Sequence, residues 1–135
     1  MRQIAWLTAT PKLKAADGTE TKLPPRMESY KEREVEPPLP PLESHRLYDW
    51  FMKAGPTIAG DMGPKPLSAQ ELEAWSRGTG KRLACWEFDL LLRMSRDYLG
   101  ESHLAEDHMR AAPWTPTGDQ VDHAANEHQL RSVLG

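Results

Sequence analysis

The runs PLSAQELEAW at residues 66–75 and LACWEFDLLLRMS at residues 83–95 decide the fold of this chain. They combine apolar residues with helix-capping signals more densely than any other part of the sequence. In the first run, Ser68 is suited to cap a helix, and Glu71 follows three residues later to complete a capping box. The run therefore predicts a short helix that ends near Gly78.

The second run begins the longest predicted helix, which starts at residue 84 or 85 and ends between residues 106 and 108. Apolar residues cover much of its circumference, which is typical of the central helix of a small bundle. Glycine costs about 1 kcal/mol relative to alanine in a helix, so the sequence allows a break or kink at Gly100. We expect residues 67–99 to form the structural centre, with Trp75 and Trp86 largely buried. The predicted apolar face consists of Trp86, Leu90, Leu91, Met94 and Tyr98, widened by Phe88, Leu92 and Leu99.

A further helix is predicted over residues 43–54, ahead of a loop rich in glycine and proline. Ser44 is suited to cap its N-terminus, and Gly55-Pro56 ends it. Its apolar stripe at helical spacing consists of Leu47, Tyr48, Trp50 and Phe51.

An extended, proline-rich arm is expected over residues 1–41. A strand at residues 4–10, a turn at Asp17-Gly18 and a returning strand at residues 19–23 would form a hairpin. An isolated hairpin is marginal in water, so the arm needs contact with the helical module or with another protein. The prolines of residues 37–41 impose polyproline II geometry, which serves either as a stiff spacer or as a ligand for an SH3-like domain.

The sequence as a whole predicts a mainly α fold in three parts. The arm of residues 1–41 precedes a small module of three to four helices at residues 42–112, and an irregular C-terminal tail occupies residues 113–135. The tail begins with turn-forming residues, and beyond them it forms either a short helix or no regular structure. A chain of 135 residues has the length of one small domain.

Charge and cysteine content exclude several classes of protein. The net charge of -3 gives no general attraction to nucleic acid or to an anionic membrane. The single cysteine, Cys85, rules out an intramolecular disulfide framework. No apolar run approaches the roughly 20 residues that span a bilayer. We therefore expect an intracellular, soluble protein that binds neither nucleic acid nor membrane.

Catalytic and metal-binding patterns are weak in this sequence. His103 and His108, like His123 and His128, are five residues apart, whereas imidazoles on one helical face are four apart. Cys85 lies among apolar neighbours without a nucleophile motif, which favours a structural cysteine over a thiol nucleophile. We expect no catalytic residue, no metal and no cofactor; an enzyme that uses Cys85 with a histidine is the alternative.

Tryptophan is prominent, with five residues against three tyrosines and two phenylalanines. Tryptophan is enriched among the residues that dominate binding energy at protein interfaces. Trp6 and Trp114 lie in segments with little core of their own, so they must dock on the helical module or on another protein. The candidate partner-binding residues are Trp6, Pro38, Pro41, Tyr48, Trp50 and Trp114.

Several motifs carry a family resemblance that extends from about residue 4 to residue 114. They are LTATPK (7–12), RMESYKE (26–32), GP (55–56) with GDMGP (60–64), ELEAW (71–75), TG (79–80), LACWE (83–87), LRMS (92–95), YLGES (98–102) and the closing Pro113-Trp114. In order and spacing these motifs resemble the tail assembly chaperone or minor tail protein family of siphophage-type tailed phages. The chain departs from the family at Ala84-Cys85, where serine or threonine and a proline are usual.

The resemblance implies an accessory role in building a long, noncontractile tail. Such a protein would bind the tape-measure and tail-tube proteins in the host cytoplasm before polymerisation, with self-association as a further option and without nucleotide or metal. One alternative is a structural minor tail protein that stays in the virion tail. Another is a stand-alone adaptor that binds a partner through its proline-rich segment.

Overall fold

The computed structural model describes residues 1–116, and its fold is mainly α, as the sequence predicts. The predicted tail lies outside the described residues from residue 117 onward. In chain order the elements are α1 (Arg2–Thr8), β1 (Lys12–Lys14), β2 (Glu20–Lys22), α2 (Arg26–Glu32), α3 (His45–Ala54), β3 (Thr57–Ile58), β4 (Lys65–Pro66), α4 (Ala69–Thr79) and α5 (Cys85–Leu104).

The hydrophobic core lies where α3, α4 and α5 meet. Phe51, Leu72 and Leu91, one from each helix, are fully buried, and Leu67 joins them from the segment ahead of α4. Full burial of such a side chain contributes about 1.5–3 kcal/mol relative to leaving it exposed. Three of the four residues come from the predicted structural centre. The half-buried side chains around them are Met1, Ala54, Ile58, Trp75, Leu83, Phe88, Leu92, Met94 and Tyr98.

The predicted helix starts are confirmed where a serine caps them. The Ser44 hydroxyl accepts a hydrogen bond from the Leu47 N–H at the start of α3, and Ser68 accepts one from the Glu71 N–H at the start of α4. These bonds satisfy backbone donors that have no partner within the first helical turn. Both helices therefore begin where local chemistry predicts.

Helix α5 is continuous through Gly100, where the sequence allows a break. Leu91 of the predicted apolar face is fully buried, and four other residues of that face pack half-buried against the core: Phe88, Leu92, Met94 and Tyr98. Glu87, Leu91 and Ser95, spaced by four residues, are buried. Trp86 is 62% exposed, so the prediction that it is buried is wrong. Successive helical residues are turned by about 100°, so the inward position of Glu87 places Trp86 outside the buried row.

Residues 4–10 do not form the predicted strand, because the chain is helical over Arg2–Thr8. Helix α1 packs along α5 and also contacts α2. Gln3, Ala5 and Leu7 are buried as a result. The sequence predicts that the arm contacts either the helical module or another protein. The contact with the helical module is present.

The first hairpin has the predicted turn but a different outgoing strand. Asp17 accepts a hydrogen bond from the Thr19 N–H at 3.0 Å, and Gly18 has a φ of 84°. Strand β2 lies within the predicted returning strand, and it pairs antiparallel with β1 from Lys12↔Lys22 onward. The hairpin therefore begins after α1 instead of at residue 4.

A second hairpin, formed by β3 and β4, occupies the glycine- and proline-rich loop, where no strand was predicted. The buried Ser95 hydroxyl of α5 donates to the Pro56 carbonyl at 2.6 Å and accepts from the Leu67 N–H at 2.7 Å. Gly60 is needed at the tip, because a Cβ there would lie 2.6 Å from the Gly63 carbonyl oxygen. One side chain thus fixes both ends of this hairpin on α5.

Candidate protein-binding surfaces

Three of the predicted partner-binding residues, Trp6, Pro38 and Trp114, lie around α1. The buried Gln3 side chain of α1 connects two of them: its Nε2 donates to the Pro38 carbonyl at 2.9 Å, and its Oε1 accepts from the Trp114 N–H at 3.2 Å. Since Gln3 is 111 residues from Trp114, neither contact is visible in local sequence. Pro38 and Trp114 are half-buried and are attached to the protein's own surface.

The Trp6 side chain also binds within the molecule. Its Nε1 donates to the Arg110 carbonyl at 2.9 Å. The Arg26 guanidinium lies 4.8 Å from the centre of the Trp6 ring, at the distance of a cation–π contact. The indole N–H and one approach to the ring are therefore already used, and half-buried Trp6 acts here as a packing residue.

Arg26 connects three parts of the backbone. Its guanidinium donates to the carbonyls of Trp6 at 3.2 Å, Ala105 at 2.9 Å and Asp107 at 2.8 Å. Partial burial of the guanidinium lowers the pKa of Arg26 below its ordinary value. The carboxylates of Asp107 and Glu101 act in the opposite direction and offset only part of this shift. Helix α2 is thereby attached both to α1 and to the segment that follows α5.

The segment after α5 is held by an ion pair as well. The Nε and Nη2 atoms of Arg110 each lie 3.1 Å from a carboxylate oxygen of the buried Glu101. This two-point contact is the strong form of an arginine–carboxylate pair, and it raises the pKa of Arg110. Because the Arg110 carbonyl also accepts from Trp6, the segment returns from α5 toward α1.

Trp50 belongs to a separate aromatic cluster. Its ring lies 6.4 Å from that of Trp75 in an edge-on arrangement, and the Arg46 and Lys81 cations lie 4.6 Å and 5.6 Å from its centre. Arg46 also contacts Glu87 at 2.5 Å, so the cluster joins α3, α4 and α5. Trp50 is half-buried, and contacts within the protein occupy its ring.

The remaining two predicted residues are placed apart from these contacts. Tyr48 is half-buried on α3, and Pro41 is exposed. The six predicted residues therefore do not form one binding surface: Trp6, Pro38 and Trp114 surround α1, and Trp50 lies in the α3–α4–α5 cluster.

Other side chains, which the sequence analysis did not select, expose large apolar groups. Met62 is fully exposed at the tip of the second hairpin. The other exposed large apolar residues are Val35, Leu39, Leu42, Met52 and Trp86, together with three that lie close to the bridge between Lys12 and Asp107. We name these three residues, Leu13, Leu104 and Met109, the end patch.

The residues of the end patch each lie within three residues of a junction between β1 and the segment that follows α5. The Lys12 N–H donates to the Glu106 carbonyl at 2.7 Å, and Lys12 forms a parallel bridge with Asp107. Leu104 is 53% exposed and Met109 is 75% exposed, on either side of the residues that Lys12 contacts. A charged cleft of about 410 Å³ adjoins this junction, lined by Lys12, Lys14, Glu20, Glu106, Asp107 and His108.

Trp86 lies where α3 and α5 begin. The contact between Arg46 and Glu87 joins the first turns of the two helices, and Trp86 precedes Glu87 directly. Leu42 precedes the N-cap residue of α3 by two positions. The exposure of Trp86 cannot be read from the sequence, because it depends on which side of α5 is buried.

The described residues show the following about metal, thiol and membrane chemistry. In residues 1–116, no group of three or more histidine, cysteine, aspartate or glutamate side chains is placed to hold a metal ion. Cys85, for which a structural role is predicted, is exposed at the start of α5. No helix in the same residues is long and apolar enough to span a membrane.

No protein-family model, curated protein or solved structure matches this chain. The likeness to phage tail proteins therefore stays a prediction from the motifs.

Proposed function

We propose that this chain is a noncatalytic accessory protein of phage tail assembly, which binds the tape-measure or tail-tube protein through the end patch. The order and spacing of its motifs support the family. The observation that carries the binding mode is the exposure of Leu13, Leu104 and Met109 around one junction of the fold. Exposed apolar groups that lie together are typical of protein interaction sites.

The mechanism would be the covering of apolar surface on an unassembled tail protein. The end patch offers two flexible aliphatic side chains and a methionine, whose thioether adapts to irregular surfaces. The adjoining cleft carries both lysines and carboxylates, which supply polar contacts at the rim of an interface. Such a contact requires neither nucleotide nor metal.

The proposed place of action is the host cytoplasm during assembly, before the tail polymerises. A structural minor tail protein would use the same patch but would remain in the finished tail. The two roles are distinguished by asking whether purified virions contain the chain.

The proposal is tested by co-expressing the tagged chain with the tape-measure and tail-tube proteins of the same genome. We expect one of them to co-purify with the chain, and Leu104→Ser with Met109→Ser to reduce that capture at least about tenfold. Met62→Ser is the matched control, because it also replaces an exposed large apolar side chain but lies outside the patch. Capture of neither protein would refute the role, and equal loss in the control would refute the patch.

A further inference from the structure

Strand β2 has an exposed outer edge, on the side away from β1. The Leu23 N–H, just after β2, donates to the Pro11 carbonyl, just before β1, at 2.8 Å. Hydrogen-bonded and non-hydrogen-bonded pairs alternate along an antiparallel ladder, so the backbone groups of Glu20 and Lys22 point away from β1. All three residues of β2 are exposed, and in residues 1–116 no strand other than β1 pairs with it. Such an edge is a template for a further strand.

The ion pairs of this hairpin leave one lysine at the outer edge without an opposite charge. Lys14 lies opposite Glu20 in the ladder, with 3.9 Å between the charged atoms. The Lys12 Nζ lies 3.4 Å from the Glu106 carboxylate. Lys22 lies opposite Lys12, a like charge, and it has no ion-pair partner within the described part of the chain. Like charges directly opposite each other are destabilising, so Lys22 favours a neighbouring strand that brings a carboxylate.

The sequence of β2 is complementary to itself in one antiparallel register. Hydrogen bonds between two copies form only where the outward-pointing residues, Glu20 and Lys22, lie opposite outward-pointing residues of the other copy. Registers that place Glu20 opposite itself, or Lys22 opposite itself, bring like charges together. The register between them centres on Thr21 and places Glu20 of each copy opposite Lys22 of the other. A two-fold axis through the threonine pair therefore satisfies the backbone and the charges together.

We propose that two copies of this chain associate through the outer edges of their β2 strands, which joins the two hairpins into one antiparallel sheet in the order β1–β2–β2–β1. The backbone groups of Glu20 bond to those of Lys22 of the other copy, and their side chains form opposite-charge pairs across the two strands. Lys22 thereby gains the carboxylate that its own hairpin does not supply. The segment that follows α5 contacts the opposite edge of the hairpin, at Lys12, so the dimer does not cover it. The association does not depend on the proposed role in tail assembly.

A disulfide cross-link tests the register. Residues opposite each other in a non-hydrogen-bonded pair have Cα atoms about 4.5 Å apart, within the reach of a disulfide. In a Cys85→Ser background, Thr21→Cys should therefore form an oxidised dimer at least about tenfold faster than Thr19→Cys at equal concentration. Thr19 is the matched control, because it is an exposed threonine of the same hairpin whose two copies would lie about 14 Å apart. Equal rates of cross-linking would overturn the register.

Sedimentation equilibrium of the full chain tests the charge pairing. We expect a concentration-dependent dimer at concentrations up to about 1 mM. Glu20→Lys or Lys22→Glu should lower the association constant about tenfold or more, because either reversal turns both pairs between the copies into like-charge pairs. Lys22→Glu places a carboxylate opposite Lys12, so its own hairpin is not weakened. Lys65→Glu, the same reversal at an exposed residue of the second hairpin, should leave the association constant unchanged.

Mixing the two variants tests whether the strands pair with each other. The Glu20→Lys chain carries two lysines at the outer edge of β2, and the Lys22→Glu chain carries two glutamates there. A mixed dimer therefore has opposite charges at both pairs, and the mixture should associate more strongly than either variant alone. A wild-type chain that stays monomeric at about 1 mM, a Lys22→Glu chain that dimerises as the wild type does, or a mixture no stronger than its components would each overturn the proposal.

Discussion

Ser95 accepts a hydrogen bond from the backbone N–H of Leu67 at 2.7 Å, across 28 residues of sequence. The same hydroxyl donates to the Pro56 carbonyl at 2.6 Å, so it is used as both donor and acceptor. Ser95 is fully buried in the middle of α5. A small polar side chain thus connects the hairpin of β3 and β4 to the longest helix.

Replacing Ser95 with alanine should lower the free energy of unfolding by about 1–3 kcal/mol, because backbone groups of Leu67 and Pro56 lose their partner. Chemical denaturation measures this change. Ser102→Ala is the matched control, since the Ser102 hydroxyl donates to the Tyr98 carbonyl within α5 and therefore connects no separate segment among residues 1–116. Equal effects of the two substitutions would contradict the role given to Ser95.

Leu7→Ala should destabilise the protein by about 2–5 kcal/mol, the usual cost of truncating a buried leucine. Leu7 belongs to α1 and is fully buried. Leu13→Ala, in the same N-terminal region but exposed, should change stability by no more than about 0.5 kcal/mol. Thermal melts of both variants measure the contrast. Equal melting temperatures would show that α1 lies outside the cooperative fold.

Gly100→Ala should stabilise the protein by about 0.5–1 kcal/mol. The glycine lies within α5, and a Cβ added there would meet no atom within 4 Å. Alanine reduces the entropy of the unfolded chain without a clash. Gly80→Ala should have the opposite effect, because Gly80 ends α4 with a φ of 69°. Denaturation curves check both signs, and a destabilising Gly100→Ala would show that α5 does not tolerate a side chain at this position.

The pKa of Glu87 lies below its ordinary value of 4.5, chiefly because its carboxylate accepts the Ala84 N–H and further because Arg46 donates to it. A lowered folded-state pKa stabilises the fold above pH 4.5, and this stabilisation is lost as the pH falls through the lower folded value. Wild type should therefore exceed Glu87→Gln in stability near about pH 7 and lose this advantage below pH 4.5. Denaturant titrations over this range test the prediction, which a pH-independent difference would contradict.

Local signals in the sequence predicted the helix starts, the turn at Gly18 and most of the core. Ser44 and Ser68 act within three residues of themselves, so their roles are visible in a short window. Leu72 and Leu91 lie on the apolar sides of their helices, and such a side must be buried. These features depend little on distant parts of the chain.

The errors arose where distant contacts decide the structure. Residues 4–10 have β-branched and aromatic content, yet packing of Leu7 and its neighbours against α5 makes this stretch helical. Helix α5 is apolar around much of its circumference, so its pattern does not tell which side faces the core, and Trp86 was assigned to the wrong one. The end patch depends on the Arg110–Glu101 ion pair, whose fold-back geometry no sequence spacing indicates.

Hydrogen–deuterium exchange of the chain, alone and with the captured tail protein, tests the central claim most directly. We predict that complex formation slows exchange in residues 12–14 and 103–110, which carry the end patch, and leaves the second hairpin around Met62 unchanged. Protection elsewhere with no change at residues 103–110, or no protection with either the tape-measure or the tail-tube protein, would contradict binding through this patch.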